Sequence, residues 1–422
     1  MLRSWPIRLP LLLLVLAILL FGAGPRRRQE EWRDLAQPSN FSIMGWEVKN
    51  VWGKWAFRAQ FWHTGRDDNL KKRNVEAYFS LASEIAEVEG RLAREAAISG
   101  RGAQSAGLET GLRELRERQA LLAPEVEETL EAQISQAVRD EGITLALDLG
   151  VHWRFQFPFT DVKFDSLPQL LIISPREVIE TRDTVLLQPE MTLSQVEGLE
   201  ARVGALGVSA LVEGIGGLAT FPTLIPKTSS LEGTLSTAAH EWMHTYLFFK
   251  PLGQGYGKDQ RLRSINETVA DMVGRELASR VLVDAYARPP LPTPGPPGPP
   301  PEPIPVEDPV LVGEDVFDFN REMRRIRLEV DRLLAAGEVD AAERFMEEKR
   351  LFLRDQGYPI RKLNQAYFAF HGSYTDSPAS VDPLGGQLAE LRRRSSSLVS
   401  FVKAVERISS YQDFLVLVEP RR

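Results

Sequence analysis

STAAHEWMHTYLFFKPLGQGYGKDQRLRSINETVADMVGRE, residues 236–276, is the stretch that decides how this 422-residue chain is read. His240 and His244 lie within a segment that predicts a helix from about Ser230 to Phe249, with Ser229 and Glu232 as a capping box and Pro251 as the stop. A spacing of four is one helical turn, so both imidazoles share a face and can reach a single metal ion. Glu241 stands one step round from His240, close enough to touch a water on that ion without ligating it. Downstream, SINETVADMVGRE (264–276) predicts a second helix with Glu267 and Asp271 one turn apart. The Gly-rich turn from Pro251 to Gly257 leaves room to bring that helix back alongside the first. Glu267 is therefore read as the third ligand, because two histidines, a glutamate and a water make a catalytic zinc set. Asp271 is read as the acceptor for the outer N–H of a ligating histidine.

HEWMH followed by NETVAD resembles the gluzincin metallopeptidases, the thermolysin-like class with HExxH and a downstream Glu-x-x-x-Asp helix. The resemblance covers residues 236–276. It implies Zn2+ held by His240, His244 and Glu267, Glu241 as general base, and a sheet-plus-helix lobe ahead of a helical lobe.

Composition narrows the chemistry from the other side. The chain has five histidines and no cysteine, so disulfides, thiolate nucleophiles and cysteine-built metal sites are excluded. Any zinc site here has to be made of histidine and carboxylate, which favours a catalytic over a structural site. A net charge of −7 argues against a nucleic-acid partner. His63 and His152 show no partner pattern and are read as structural.

Before the histidine helix, ITLALDLGV, WRFQFPF, QLLIIS and DTVLLQ, within residues 142–188, are short β-branched or aromatic runs broken by Pro, Asp and Gly. They predict a small sheet. Residues 192–206 predict a helix, and 208–225 an extended strand with a glycine interruption. Its part from Gly216 to Ile225 is either an edge strand along a substrate cleft or a core strand with a bulge. After the histidine helix, residues 363–376 carry His371 and Tyr374, candidates for the donor that stabilises an oxyanion; the alternative for His371 is a satisfied histidine in an aromatic cluster.

The ends complete the organisation. Residues 9–24 are an uncharged apolar run with Arg3 and Arg8 before it and Arg26, Arg27 and Arg28 after it. They are read as an uncleaved signal anchor, hence a single-pass protein of the cell membrane. The body is taken as extracytoplasmic, although the three following arginines pull the other way by the positive-inside rule. A tryptophan-rich linker follows (Trp46, Trp52, Trp55, Trp62). Residues 69–98 and 108–140, the second interrupted near Pro124, predict a helical hairpin, either a stalk beside the anchor or a subdomain on the body. Twelve of the 28 prolines fall between Pro289 and Pro309, a polyproline spacer or loop insertion. Helices are predicted beyond it at 317–336, 338–356, 359–371 and 385–408.

The sequence thus describes an α+β chain. Residues 1–28 form the signal anchor, 29–140 a helical hairpin region, 141–287 a zincin-like core with a small sheet and central HExxH helix, 288–311 a Pro-rich linker, and 312–422 a helical lobe. The function read from it is that of a membrane-anchored zinc peptidase acting on a peptide or protein substrate. Two rivals stand beside it: an inactive or non-peptidase zincin-fold scaffold at the membrane, and a metal-free protein in which HEWMH belongs to an interaction helix.

Overall fold

The computed structural model describes residues 30–61, 67–99, 103–148, 152–227, 230–291, 317–373 and 383–419. The anchor assigned to residues 1–28, most of the Pro-rich stretch and Tyr374 lie outside these. Among the described residues no helix is long and apolar enough to cross a membrane.

The tryptophan-rich segment is helical through Phe61 and not a linker there; Trp62 and His63 lie outside the described residues. Helix α1 (Glu31–Ala36) is followed by α2 (Ile43–Phe61). Then come the two long helices of the hairpin, α3 (Asp68–Ser99) and α4 (Ala103–Asp140). Helix α4 runs through Pro124 without a break. The one N–H that proline withholds is outweighed by the apolar side chains packed on both sides of it, Leu122, Ala123, Val126, Leu130 and Ile134.

The β-rich region makes three small sheets where one was predicted. Strands β1 (Leu145–Asp148) and β2 (His152–Phe155) form a hairpin. β3 (Val162–Asp165) is followed by β4 (Gln169–Pro175) and β5 (Asp183–Leu187). Helix α5 (Leu193–Gly204) starts on a Thr192–Gln195 capping box and leads into β6 (Val208–Gly214). β4 is the centre of an antiparallel sheet ordered β5-β4-β6, whereas β7 (Thr223–Pro226) pairs in parallel with β3. The long strand predicted over 208–225 is therefore two strands in different sheets. Gly214, Gly216, Gly217 and Pro222 interrupt the ladder between them, leaving one bridge, Leu218 to Leu224.

Helix α6 (Leu231–Phe248) follows β7, and the short α7 (Pro251–Gln254) turns the chain into the 27-residue α8 (Gln260–Tyr286). After the Pro-rich stretch come α9 (Phe319–Ala335), α10 (Val339–Asp355) and α11 (Gln365–His371). Helix α11 begins six residues later than predicted because Asn364 caps it, its side chain accepting the Tyr367 N–H at 2.9 Å. The helix predicted over 385–408 is two, α12 (Leu384–Arg394) and α13 (Leu398–Val405), separated where Ser397 starts a new capping box. α14 (Tyr411–Val418) ends the described chain.

The main core explains how these parts hold together. It joins Val75 and Tyr78 of α3, Val126 to Val138 of α4, the inner faces of α6 and α8, and Leu384 to Phe414 of the last three helices. The hairpin is thus a packed part of the body. A second core lies between the β5-β4-β6 sheet and α5, closed by Trp32 of α1. On the other face of that sheet Ile172 and Leu211 meet Ala366 of α11.

Candidate metal centre

Local sequence sets up the first two ligands. Ser230, one residue later than the predicted cap, accepts the Gly233 N–H at 3.0 Å and starts α6. Buried Leu235, Ala238, Ala239, Trp242 and Met243 then fix which way the helix faces. Trp242 is locked further by its indole N–H donating to the Pro158 carbonyl at 2.9 Å. With the apolar face turned inward, His240, His244 and Glu241 come to the edge of a cleft of about 850 Å3.

The expected third ligand, Glu267, stands on α8. His240 lies against Gly274 and His244 against Asn266, so α6 and α8 run antiparallel. A methyl group on Gly274 would sit 2.9 Å from the His240 backbone nitrogen and 3.0 Å from the Ser236 carbonyl oxygen. Only glycine permits so close an approach.

The three expected ligands converge. His240 Nε2 and His244 Nε2 are 3.0 Å apart, and Glu267 Oε2 lies 3.6 Å from the first and 3.4 Å from the second. Ligands about 2.0–2.1 Å from a shared tetrahedral zinc sit roughly 3.3 Å from one another, so the triangle has the size that ion needs. Glu267 Oε2 is moreover buried and accepts no hydrogen bond. A buried ionised carboxylate oxygen without a donor is costly, and a cation between the three atoms would remove that cost. Two imidazoles and one carboxylate are donors that divalent transition metals, zinc among them, accept.

The electrostatics follow from this crowding. Burial opposes ionisation of Glu267, yet the facing histidines hold its carboxyl well below the usual range. Burial works against the charged form of His244, but Glu267 and Glu241 outweigh it and push the imidazole up to about 9. Glu241 is different: burial pushes its carboxyl up, partly offset by the two histidines. A carboxylate with raised proton affinity beside a ligand cluster is suited to take and return a proton.

The orienting residue differs from the one predicted. Asn266 Oδ1 stands 2.7 Å from His244 Nδ1, which fixes the tautomer that leaves Nε2 free to ligate. Asp271 lines the same cleft but pairs with Arg275, one turn on, at 2.8 Å. An i,i+4 arginine on its own helix holds Asp271 away from the role assigned to it.

His371 is not brought to the cleft. Its ring lies tilted against Tyr367 at 4.2 Å and meets Phe370 edge-on, and burial pulls its pKa down to about 4. Phe370 and Ser373 line the cleft from this segment instead. The aromatic-cluster alternative describes its surroundings, and its neutral ring is shut in among apolar neighbours.

Residues that sequence reading passed over supply what is missing. The Tyr256 hydroxyl donates to Glu267 Oε1, and its ring lies edge-on to His244 at 5.9 Å. Arg263, also lining the cleft, stacks over the Tyr256 ring at 4.8 Å. The signal for Tyr256 was present in Gly255-Tyr256-Gly257, a polar aromatic held between two turn glycines. On the opposite wall Glu47 of α2 accepts the Phe221 N–H at 3.0 Å and fixes the irregular segment after β6. No family model, curated protein or solved structure matches the chain.

Proposed function

We propose that the protein is a gluzincin-type zinc peptidase, cutting peptide bonds of a peptide or protein substrate in the cleft between α6 and the segment after β6. One observation carries the reading: three ligand atoms of His240, His244 and Glu267 form a triangle of tetrahedral-zinc size, with the Glu241 carboxylate next to it in an open cleft. A bound zinc ion would supply a Lewis acid and an acidified water.

The chain's own residues do the rest. Glu241 accepts a proton on its carboxylate during attack and returns it to the leaving amine nitrogen, a shuttle favoured by its raised proton affinity. Asn266 accepts the His244 Nδ1 proton, so that Nε2 is the nitrogen left to present a lone pair to a bound cation. Tyr256 donates to the Glu267 oxygen that does not face the histidines and so orients the carboxylate. The segment Gly216–Thr220, lining the cleft, offers a backbone against which an extended substrate would lie. In keeping with the apolar run at residues 9–24, the body is proposed to be held at a cell membrane, on its extracytoplasmic side.

The test is Glu241→Gln in the purified full chain, with casein and aminoacyl-arylamides as substrates and metal measured by elemental analysis. Metal content should match the parent, and turnover should fall by about 10²–10⁴, as expected for loss of a general base. Parent protein without metal, or a variant with full turnover, would overturn the assignment.

A further inference from the structure

Over residues 43–54, helix α2 turns polar groups towards the protein and an apolar row towards solvent. Its protein-facing side is polar: Trp46 donates to Asp165 at 3.0 Å, Glu47 accepts from Phe221, and the Lys54 ammonium meets Asp161 at 2.8 Å and Glu131 beside it. Its solvent side is apolar. Met44 is 56% exposed, Val48 45% and Trp52 71%, and the three stand at i, i+4 and i+8, one row along the helix. Ile43 adds to the row's start and exposed Lys49 stands beside Val48. Elsewhere among the described residues, exposed Phe352 and Tyr358 gather on the Phe317 ring. A contiguous apolar row with tryptophan on the exposed face of a helix marks a surface with a partner, because water alone does not favour it.

We infer that this row rests on the interface of a lipid bilayer, with Met44, Val48 and Trp52 among the headgroups and upper acyl chains. The chain before the described residues points to that occupant. The uncharged apolar run ends at Gly24, arginines follow at 26–28, and Glu30 is already fixed on the body, since α1 is held to β5 by the Trp32 indole on Asp183 at 2.9 Å. Six residues span at most about 20 Å, so that corner of the body stays close to whatever the apolar run enters. The far end of β5 receives the chain again: Asn40 bridges Leu187 and the Phe41 N–H donates to Leu186 at 3.0 Å, immediately before α2. A five-residue strand is about 14 Å long, so the apolar row begins one strand length from the tether. Tryptophan, aliphatic residues and a lysine along one face are the make-up of a helix lying in the interface plane. Helix α2 would thus lie on the membrane without crossing it, its other face gripping the cleft wall through Glu47. The inference stands whether or not the cleft hydrolyses peptides.

The absence of cysteine makes the experiment clean. Single cysteines replace Met44, Val48 or, as control, Leu328 on α9, which is 46% exposed. Each full-length variant carries an environment-sensitive fluorophore and is reconstituted into vesicles of phosphatidylcholine and phosphatidylglycerol at 3:1. Nitroxides on the upper acyl chain should quench the labels at 44 and 48 by about twofold or more and leave the label at 328 unquenched. Equal quenching at 48 and 328 would overturn the inference. So would excimer formation between pyrene labels at 48 without lipid quenching, which would make a second copy the occupant. A V48E/W52E variant of the 44-labelled protein, whose changes are on the exposed face and leave the core intact, should lose the quenching while melting as the parent does.

Discussion

The molecule buries two clusters of ionised side chains about the same polypeptide core, and they are finished to different degrees. Around Lys54, the carboxylates of Glu127, Glu131 and Asp161 are answered from within the chain. Glu131 takes the lysine and the Val162 N–H at 2.8 Å, and Glu127 takes Lys163 at 3.0 Å and the Phe164 N–H at 2.9 Å. This cluster pins α2, α4 and β3 together, its three carboxylates meeting two lysine ammonium groups and two backbone N–H donors. Around Glu267, by contrast, two imidazole nitrogens and a carboxylate oxygen point at one another, and that oxygen has no donor. A cluster closed on itself is structural cement. One whose donor atoms converge on a common point has the arrangement of a candidate cation site.

Breaking the closed cluster should cost most. Lys54→Met leaves buried carboxylates without their cation, and a chemical-denaturation curve should show a loss of about 3–5 kcal/mol. Its melting should still respond to chelator as the parent's does, because the Glu267 cluster is untouched. Wild-type stability alongside Lys54→Met would show that the cluster is no pin.

The open cluster should behave in the opposite way. Chelation of the parent protein should lower its stability by about 2.7 kcal/mol if metal had been present at a hundred times its dissociation constant. Glu267→Ala should abolish both metal retention and the chelator response, which scanning calorimetry with and without dipicolinate reads directly. A Glu267→Ala protein that keeps its metal would erase the contrast between the clusters.

The smallest effect sharpens the contrast from a third buried group. Burial holds the folded His371 pKa at about 4, whereas an unfolded histidine titrates near 6.5. Between those values the unfolded chain binds a proton that the folded chain refuses, so stability falls as pH drops through 6.5 towards 4 and is level above it. This amounts to about 1 kcal/mol by pH 5.5. His371→Phe should flatten that limb of the pH–stability curve; an unchanged slope would place the acid sensitivity elsewhere.

Local spacing explains which parts of this were legible. A turn of helix puts His240, His244 and Glu241 in reach of one another whatever surrounds them, and the second helix needed only a turn long enough to return Glu267. The orienting residue was not legible, because choosing Asn266 over Asp271 depends on how α8 is rotated against α6 and on Arg275 competing for the aspartate. Helix α2 escaped notice because over residues 43–54 polar groups are buried and an apolar row is exposed, which inverts the periodic rule by which surface helices are found. His371 misled for a related reason: histidine among aromatics looks the same in sequence whether it faces a cleft or a stack. The division of one expected sheet into three followed from breaks at Gly214–Gly217 and Pro222, which local pattern marks but whose new partners it does not name.

The glycine at 274 gives the site a caliper. Its missing side chain lets α8 touch the backbone of α6 at the first ligand, so the opening between the donor atoms is gauged by helix-to-helix distance and not by the donors themselves. The spacing of the proposed metal site is therefore set in part by a residue that contributes no donor atom to it.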